Sequence, residues 1–400
     1  MFIELHTIQS FGPTNLNRDD LNNPKECLFG GVRRARISSQ CIKRAVREHP
    51  LFAQTTQVDN AMRTRWISNL IRDGLKNKGK PEDEASDVAI AFARAYAVDM
   101  DSKNKGKTSV LVYISPAEVS DAVSMLMDEW KKKAPSEEAM GKIVANLIKK
   151  YEKITSAPDI ALFGRMLAQK HETGIDAACQ VAHAISTHAV KRETDYFTAV
   201  DQLKPDDTAG AGMVGYLDFN SACYYRYARI DWQQLVTNLK QDRAREEPNA
   251  DEIALARRTI EGYLRSWEAA TPTGMKNSHD NNGRPALMLA AVRTDGVGWS
   301  LANAFERPVR PLFQNGWEGG YIIPSVRELD KYWGWLCQIY GSTQLKSVAT
   351  LALDPTLLEN EDTLKHLKQF VVQSGKAQVS NLDAWVDEIT NALVDGKENV

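Results

Sequence analysis

Strand-like segments stand far apart in this chain: "FIELHTI" at 2–8, "FNSACYYRYARID" at 219–231 and "ALMLAAV" at 286–292. A mostly helical block, residues 51–157, falls between the first two. A sheet made of these segments has to gather them from distant parts of the chain. That predicts an α+β fold with a discontinuous sheet and a helical insertion. Within the block, Met62, Trp66 and Leu70 mark one face, and Val88, Phe92, Ala95 and Tyr96 another. "TSVLVYI" interrupts as a short strand. "SPAE" (115–118) follows as a capping box with proline at the first helical position, backed by Val119, Val123, Leu126 and Trp130. A further helix runs through Ile143, Leu147 and Tyr151.

After residue 158 the pattern changes. "DAACQVAHAISTHAV" (176–190) fits helix or strand by period alone. "DYFTAVDQLKPDDTAGAGMVGYLD", with Gly210, Gly212 and Gly215 near its middle, reads as a long glycine-tipped hairpin. A long helix follows Pro248. "SVRE" (325–328) reads as a second capping box opening a helix through Leu329, Tyr332, Trp333 and Leu336, and two amphipathic helices fill the C-terminal end.

With 400 residues, 43% of them hydrophobic, the chain can bury one large core or two moderate ones. Five scattered cysteines, never in a CxxC pair, argue against a disulfide framework or zinc site and for a reducing cytoplasm. No apolar run is long enough to span a bilayer, and the N-terminus lacks a basic leader, so no membrane partner is expected.

Lys and Arg total 50 against 52 Asp and Glu, a net charge of -2. Against that balance, "GGVRRARISSQCIKRAVREHP" (30–50) carries Arg33, Arg34, Arg36, Lys43, Arg44 and Arg47 before its single acid, Glu48. Ser38 or Ser39 is placed to cap the helix "QCIKRAVREH", on which Lys43 and Arg47 share a face. The charges look nearly uncompensated. They straddle two glycines, which let backbone amides approach a phosphate, and serines next to a helix N-terminus. The segment therefore reads as a clamp for a nucleic-acid backbone.

Catalytic signatures are absent: no GxSxG, HExxH, Walker loop or GxGxxG. His183 and His188 lack a third ligand in the sequence, so neither metal nor cofactor is expected. Asp19 and Asp20, adjacent in "LNRDDLN", have the composition of an Mg²⁺ site but equally of an ordinary turn.

"FGGVRRARISSQCIKRAVR" (29–47), preceded by "LNRDDLN" (16–22), resembles the N-terminal signature of the type I-E CRISPR Cascade backbone subunit, the CasC-type crRNA-binding family. "DIALFGRM" (159–166), "AHAISTHAV" (182–190), "DYFTAVDQL" (195–203), "YYRYARID" (224–231) and "SLANAFE" (300–306) resemble further blocks of that family in its order. The likeness runs from about residue 3 to about 340 and is weaker through 51–157. It implies a modified RNA-recognition-motif (ferredoxin-like) palm from 1–50, 158–196 and 218–400, helical fingers at 51–157 and a thumb at 197–217.

The resemblance also implies a function. Copies of the subunit would polymerise along a CRISPR RNA beside other Cascade subunits, with thumbs kinking the guide and its exposed bases pairing with a target DNA strand. Arg18, Ser38, Gln40, Lys43, Arg44 and Arg47 would contact phosphates and sugars, and Arg34 and Arg36 belong to the same segment. Arg165 and Met166 would lie near the RNA. Phe197 and Tyr196, the latter in place of a relative's tryptophan, would pack near the kinked nucleotide. Two rivals remain open: an RNA-cleaving subunit of the type III kind using Asp19 or Asp20, and an assembly protein that does not touch RNA.

Overall fold

The first strand, β1 (Phe2–Thr14), is buried on both faces from Ile3 to Gln9. A strand alternating along "FIELHTIQ" would show its polar residues to water at a sheet edge, yet Glu4, His6, Thr7 and Gln9 are all buried. The cause is its central place between two covered faces. The computed structural model describes residues 1–97, 99–130, 133–166, 174–199, 213–242, 244–280, 282–314, 317–354, 357, 363–368 and 381–393. The chain forms two units: Met1–His49 with Val181–Arg229 and Tyr263–Val400, and Pro50–Gln180 with Ile230–Gly262.

In the first unit the sheet also contains β2 (Glu26–Phe29), β3 (Val32–Ile37), β4 (Ala184–Ser186), β5 (Glu193–Ala199), β6 (Met213–Asp231), β7 (Leu287–Arg293) and β8 (Leu345–Ala352). They pair in the order β8-β7-β1-β6-β4-β3-β2, with β5 on β6. The pairs β1–β7, β7–β8, β2–β3, β3–β4, β4–β6 and β5–β6 are antiparallel. The fold is thus α+β with an antiparallel sheet assembled from distant segments, as the spacing of the strand-like runs predicts. "DAACQVAHAISTHAV" resolves into short strands, Cys179–Val181 and β4, rather than a helix.

One side of the sheet packs against the helix α2 (Ile322–Tyr340), which brings Val326, Leu329 and Trp333 onto Ile8, Tyr225, Leu287 and Leu289. This helix corrects the second capping-box expectation. It begins three residues earlier than Ser325, which is buried inside its first turn and donates from its hydroxyl to Thr187 Oγ1 at 2.8 Å. Pro324 is tolerated because the first turn needs no intrahelical donor. The strand β8 carries no strong signal in "LKSVATLA"; its pairing to β7 and the helix α3 (Leu382–Ala392), whose Trp385 indole donates to Ala349 O at 3.2 Å, hold it in place. Parts of the expected C-terminal helices lie outside the described residues.

The second unit is mainly helical. Helices Ile67–Asn77, Glu82–Ala97, Pro116–Glu129 and Glu137–Lys150 close on a core that includes Ile71, Leu75, Val88, Phe92, Tyr96, Val123, Leu126, Ile143 and Leu147. Met62 and Trp66 do not share a helix face with Leu70: Met62 belongs to a strand, Met62–Thr64, paired to Val112–Ile114. The capping box is formed as expected. Glu118 N donates to Ser115 Oγ at 3.1 Å, and Ser115 N donates to Glu118 Oε2 at 2.8 Å.

Candidate nucleic-acid interface

The basic segment folds as a hairpin followed by a helix. Gly30 and Gly31 both take positive φ (59° and 78°), the conformation of a two-residue turn that matches strand twist. The glycines are therefore turn residues first. A Cβ on Gly30 would sit 1.7 Å from the Glu306 carbonyl oxygen, so nothing larger fits.

Past the turn, Arg34 departs from the clamp expectation. It is fully buried, and its guanidinium donates to Phe29 O (3.2 Å), Ser186 O (3.1 Å), Phe305 O (2.7 Å) and Glu306 O (3.3 Å). Its planar fork ties the hairpin to two other segments of the first unit and is not offered to a ligand. The charges are also less bare than the sequence suggests. Arg33 pairs with Glu26 at 3.0 Å, and Arg44 and Arg47 both reach Glu48 at 2.9 Å. Burial alone would raise the Glu48 carboxyl, but hydrogen bonds from Arg44 and Arg47 outweigh it and hold the group below its ordinary range.

The helix α1 (Ser39–Glu48) starts at Ser38, whose side chain makes no cap hydrogen bond. Its first turn holds no acid, so the positive end of the helix is not neutralised from within. Instead Asn17 Oδ1 accepts from Ser38 N at 2.9 Å, and His183 Nδ1 accepts from Ser39 N at 3.1 Å. These two bonds bring loop 15–24 and the start of β4 to the helix end. Arg18 and Gln40 are exposed there, and Arg36 Nη1 lies 3.5 Å from His183 Nδ1. Burial, then the charges of Arg36 and Lys25, push the His183 imidazole below its usual value, which keeps it neutral and able to accept. Arg18, Lys25, Arg36, Gln40, Lys43 and the helix N-terminus thus share one region of the first unit. Lys25 has no local signal, and the sequence offers His183 only as a metal ligand; folding shows that both belong with the basic segment.

The other candidates belong to other elements. Arg165 belongs to the second unit, buried, with Nη1 donating to Glu118 Oε1 at 2.6 Å and to Tyr113 O at 3.3 Å. It is a packing ion pair, and its neighbour Met166 is 83% exposed. Tyr196 and Phe197 lie on β5, paired to Tyr216 and Gly215 of β6, and are 55% and 44% exposed. Adjacent on a strand, they point to opposite faces. The Phe197 ring covers Gly215, where a Cβ would meet it at 2.3 Å. Met213, Val214 and Tyr216 are exposed beside them. Most of the segment expected to form the hairpin tip, residues 200–212 with Gly210 and Gly212, lies outside the described residues.

Asp19 is engaged by its own loop. Oδ1 accepts from Leu21 N (2.9 Å) and Asn23 N (2.8 Å), and Oδ2 from Asn23 Nδ2 (3.3 Å). His188 is buried, accepts from Cys223 N at 3.1 Å and stacks on Tyr321 with ring centroids 3.7 Å apart. Among the described residues no group of three or more His, Cys, Asp or Glu side chains is placed to hold a metal ion, and no helix is long and apolar enough to cross a membrane.

Among solved structures the chain is similar to a component of a "CRISPR RNA-guided surveillance complex, pre-nicking", at 27% identity and a TM-score of 0.77, covering 98% of this chain and all of that one. A component of a "CRISPR RNA-guided surveillance complex" shares the fold at 24% identity and a TM-score of 0.68, with the same coverage. No curated protein sequence matches it. The family model described as CT1975-like protein matches residues 3–373, nearly the whole length, and the chain belongs to that family.

Proposed function

We propose that this protein is the guide-binding backbone subunit of a Cascade-type CRISPR effector in the cytoplasm. The observation that carries the reading is the gathering of Arg18, Lys25, Arg36, Gln40 and an acid-free helix N-terminus around Asn17 and His183, in a chain similar to a component of an RNA-guided complex. Such a surface offers amide, amide-side-chain and guanidinium donors at one place. It suits a ligand held through phosphate and sugar. A guide changes sequence from spacer to spacer, so its holder has to leave base edges free for pairing with target DNA. In this reading the sheet of the first unit is an RNA-recognition-motif-like palm and the β5–β6 hairpin belongs to a thumb. Copies of the chain line the CRISPR RNA beside other Cascade subunits. The chain acts as a scaffold and not as a nuclease; Asp19, whose carboxylate closes its own turn, supports that part.

The test is copurification with a CRISPR RNA and titration with guides of unrelated spacers. Arg18→Ala, Arg36→Ala and Gln40→Ala should weaken binding equally for every spacer. Each arginine change should flatten the dependence of log K on log salt by about 0.7. Arg44→Ala should do less, because Glu48 already competes for that cation. Spacer-specific losses would refute the backbone clamp. Mg²⁺-dependent cuts in a complementary RNA that vanish in Asp19→Ala or Asp20→Ala would refute the scaffold.

A further inference from the structure

A second basic surface of the first unit is built from other side chains. An open groove of about 1060 Å³ runs between the segment 303–313 and α2. On α2 the residues Arg327, Lys331 and Trp335 follow one another at four-residue steps, which puts them on one face, while Val326, Leu329 and Trp333 turn into the core. Across the groove Arg307, Arg310 and Phe313 recur every third residue. Pro308 and Pro311 limit the backbone between them, and buried Val309 anchors it, its N donating to Thr187 O at 2.9 Å. These cations are displayed on a stiffened frame, so less ordering entropy opposes binding.

The charge is unspent. Four cations line the groove against two acids, Glu306 and Glu328, and none of the four has an ion pair among the described residues. Two rings stand among them in water: Phe313 is 73% exposed and Trp335 47%. Lys331 Nζ lies 5.0 Å from the Trp335 ring centre, a cation beside a platform. An acidic peptide would match the charge and leave both rings wetted. A duplex would match the charge and keep its bases stacked inside. Unstacked bases on a phosphate backbone satisfy cations and rings together.

We propose that this groove binds a single strand of nucleic acid without reading its sequence: phosphates on Arg307, Arg310, Arg327 and Lys331, bases on Phe313 and Trp335. The inference rests on the groove and not on the guide-binding reading. The test uses the purified full chain with fluorescein-labelled oligo-dT and oligo-rU, and ultraviolet cross-linking with peptide mapping. Adducts are expected within residues 307–313 and 327–335. In the Arg18→Ala, Gln40→Ala background, Trp335→Ala should weaken affinity roughly 5- to 150-fold and remove the adducts on 327–335, whereas Trp335→Phe keeps a ring and most of the binding. Arg310→Ala and Lys331→Ala should each flatten the salt dependence by about 0.7. Tighter binding of one oligomer identifies the strand as DNA or RNA; equal binding assigns the groove to both. Arg18→Ala with Gln40→Ala should leave these adducts in place, so failure of the guide clamp and failure of the groove are separate results. Adducts only outside the two segments, Trp335→Ala having no effect on affinity in the Arg18→Ala, Gln40→Ala background, or poly-glutamate binding as tightly as either oligomer would overturn the proposal.

Discussion

Arg34 offers the sharpest contest between a residue that binds RNA and one that holds the fold. Replacing it with alanine removes four charge-assisted donations, two at good length (2.7 and 3.1 Å) and two long (3.2 and 3.3 Å). Two good bonds to a charged group are worth about 1.5–3 kcal/mol each. The long pair adds little. Against this stands the cost of keeping an arginine buried, which alanine relieves, while carbonyls of Phe29, Ser186, Phe305 and Glu306 lose their donor. The expected net loss is about 3–5 kcal/mol. Arg34→Lys should recover little of it, since one ammonium cannot reach four carbonyls arranged for a planar fork. Urea unfolding followed by tryptophan fluorescence measures the loss, and RNA titration of the folded fraction measures binding. Gln40→Ala is the contrasting variant: the residue is exposed, so stability should stay within about 0.5 kcal/mol of the parent, as for most surface changes, while RNA binding weakens. The reasoning fails if Arg34→Ala unfolds like the parent and only its RNA affinity falls.

Three further outcomes follow from the packing. Arg165→Ala strands the buried Glu118 carboxylate and should cost about 3–5 kcal/mol in a urea titration; a loss under about 1 kcal/mol would mean that the pair is not buried as described. Gly31→Ala, with open space around it, should cost only the left-handed backbone penalty of about 1–2 kcal/mol, whereas Gly30→Ala also drives a methyl into the Glu306 carbonyl and should cost several-fold more; equal effects would contradict that close approach. Burial, with Arg293 adding to it, pushes the His6 imidazole from 6.5 down to about 3. The folded state therefore excludes a proton that the unfolded chain accepts. His6 contributes stability fully above pH 6.5, and that contribution is lost as pH falls from 6.5 towards about 3, at about 1.4 kcal/mol per pH unit. Urea midpoints across this window should fall less steeply in His6→Asn than in the parent, and parallel slopes would count against a buried neutral His6.

Much of the fold is legible from local pattern because local physics decides it. The capping box at Ser115 and Glu118, the periodic faces around Val88, Phe92 and Tyr96, and the Tyr-rich strand at 219–231 are set by hydrogen bonds and side-chain periods within a few residues. The helix after Ser38 belongs to the same class, and so does the concentration of cations in residues 30–50. The Gly30–Gly31 pair, expected to let a phosphate approach, is instead a hairpin turn. The sequence by itself determined which residues were available to the candidate site. It did not determine their fates. Arg34 and Arg36 stand two apart on the same strand, yet one is consumed by the carbonyls of Ser186, Phe305 and Glu306 while the other borders the helix end. Ser325 looked like a cap and became a buried donor inside a helix, because Tyr321 and Ile322 already continue the turn upstream. Lys25 and His183 joined the site through bonds to residues that folding alone brought near. The physical reason is common to all of them. Hydrogen-bond demand at a buried position is set by whichever backbone groups converge there, and that convergence comes from sheet order, in which β3 pairs with β4 across roughly one hundred and fifty residues of intervening chain.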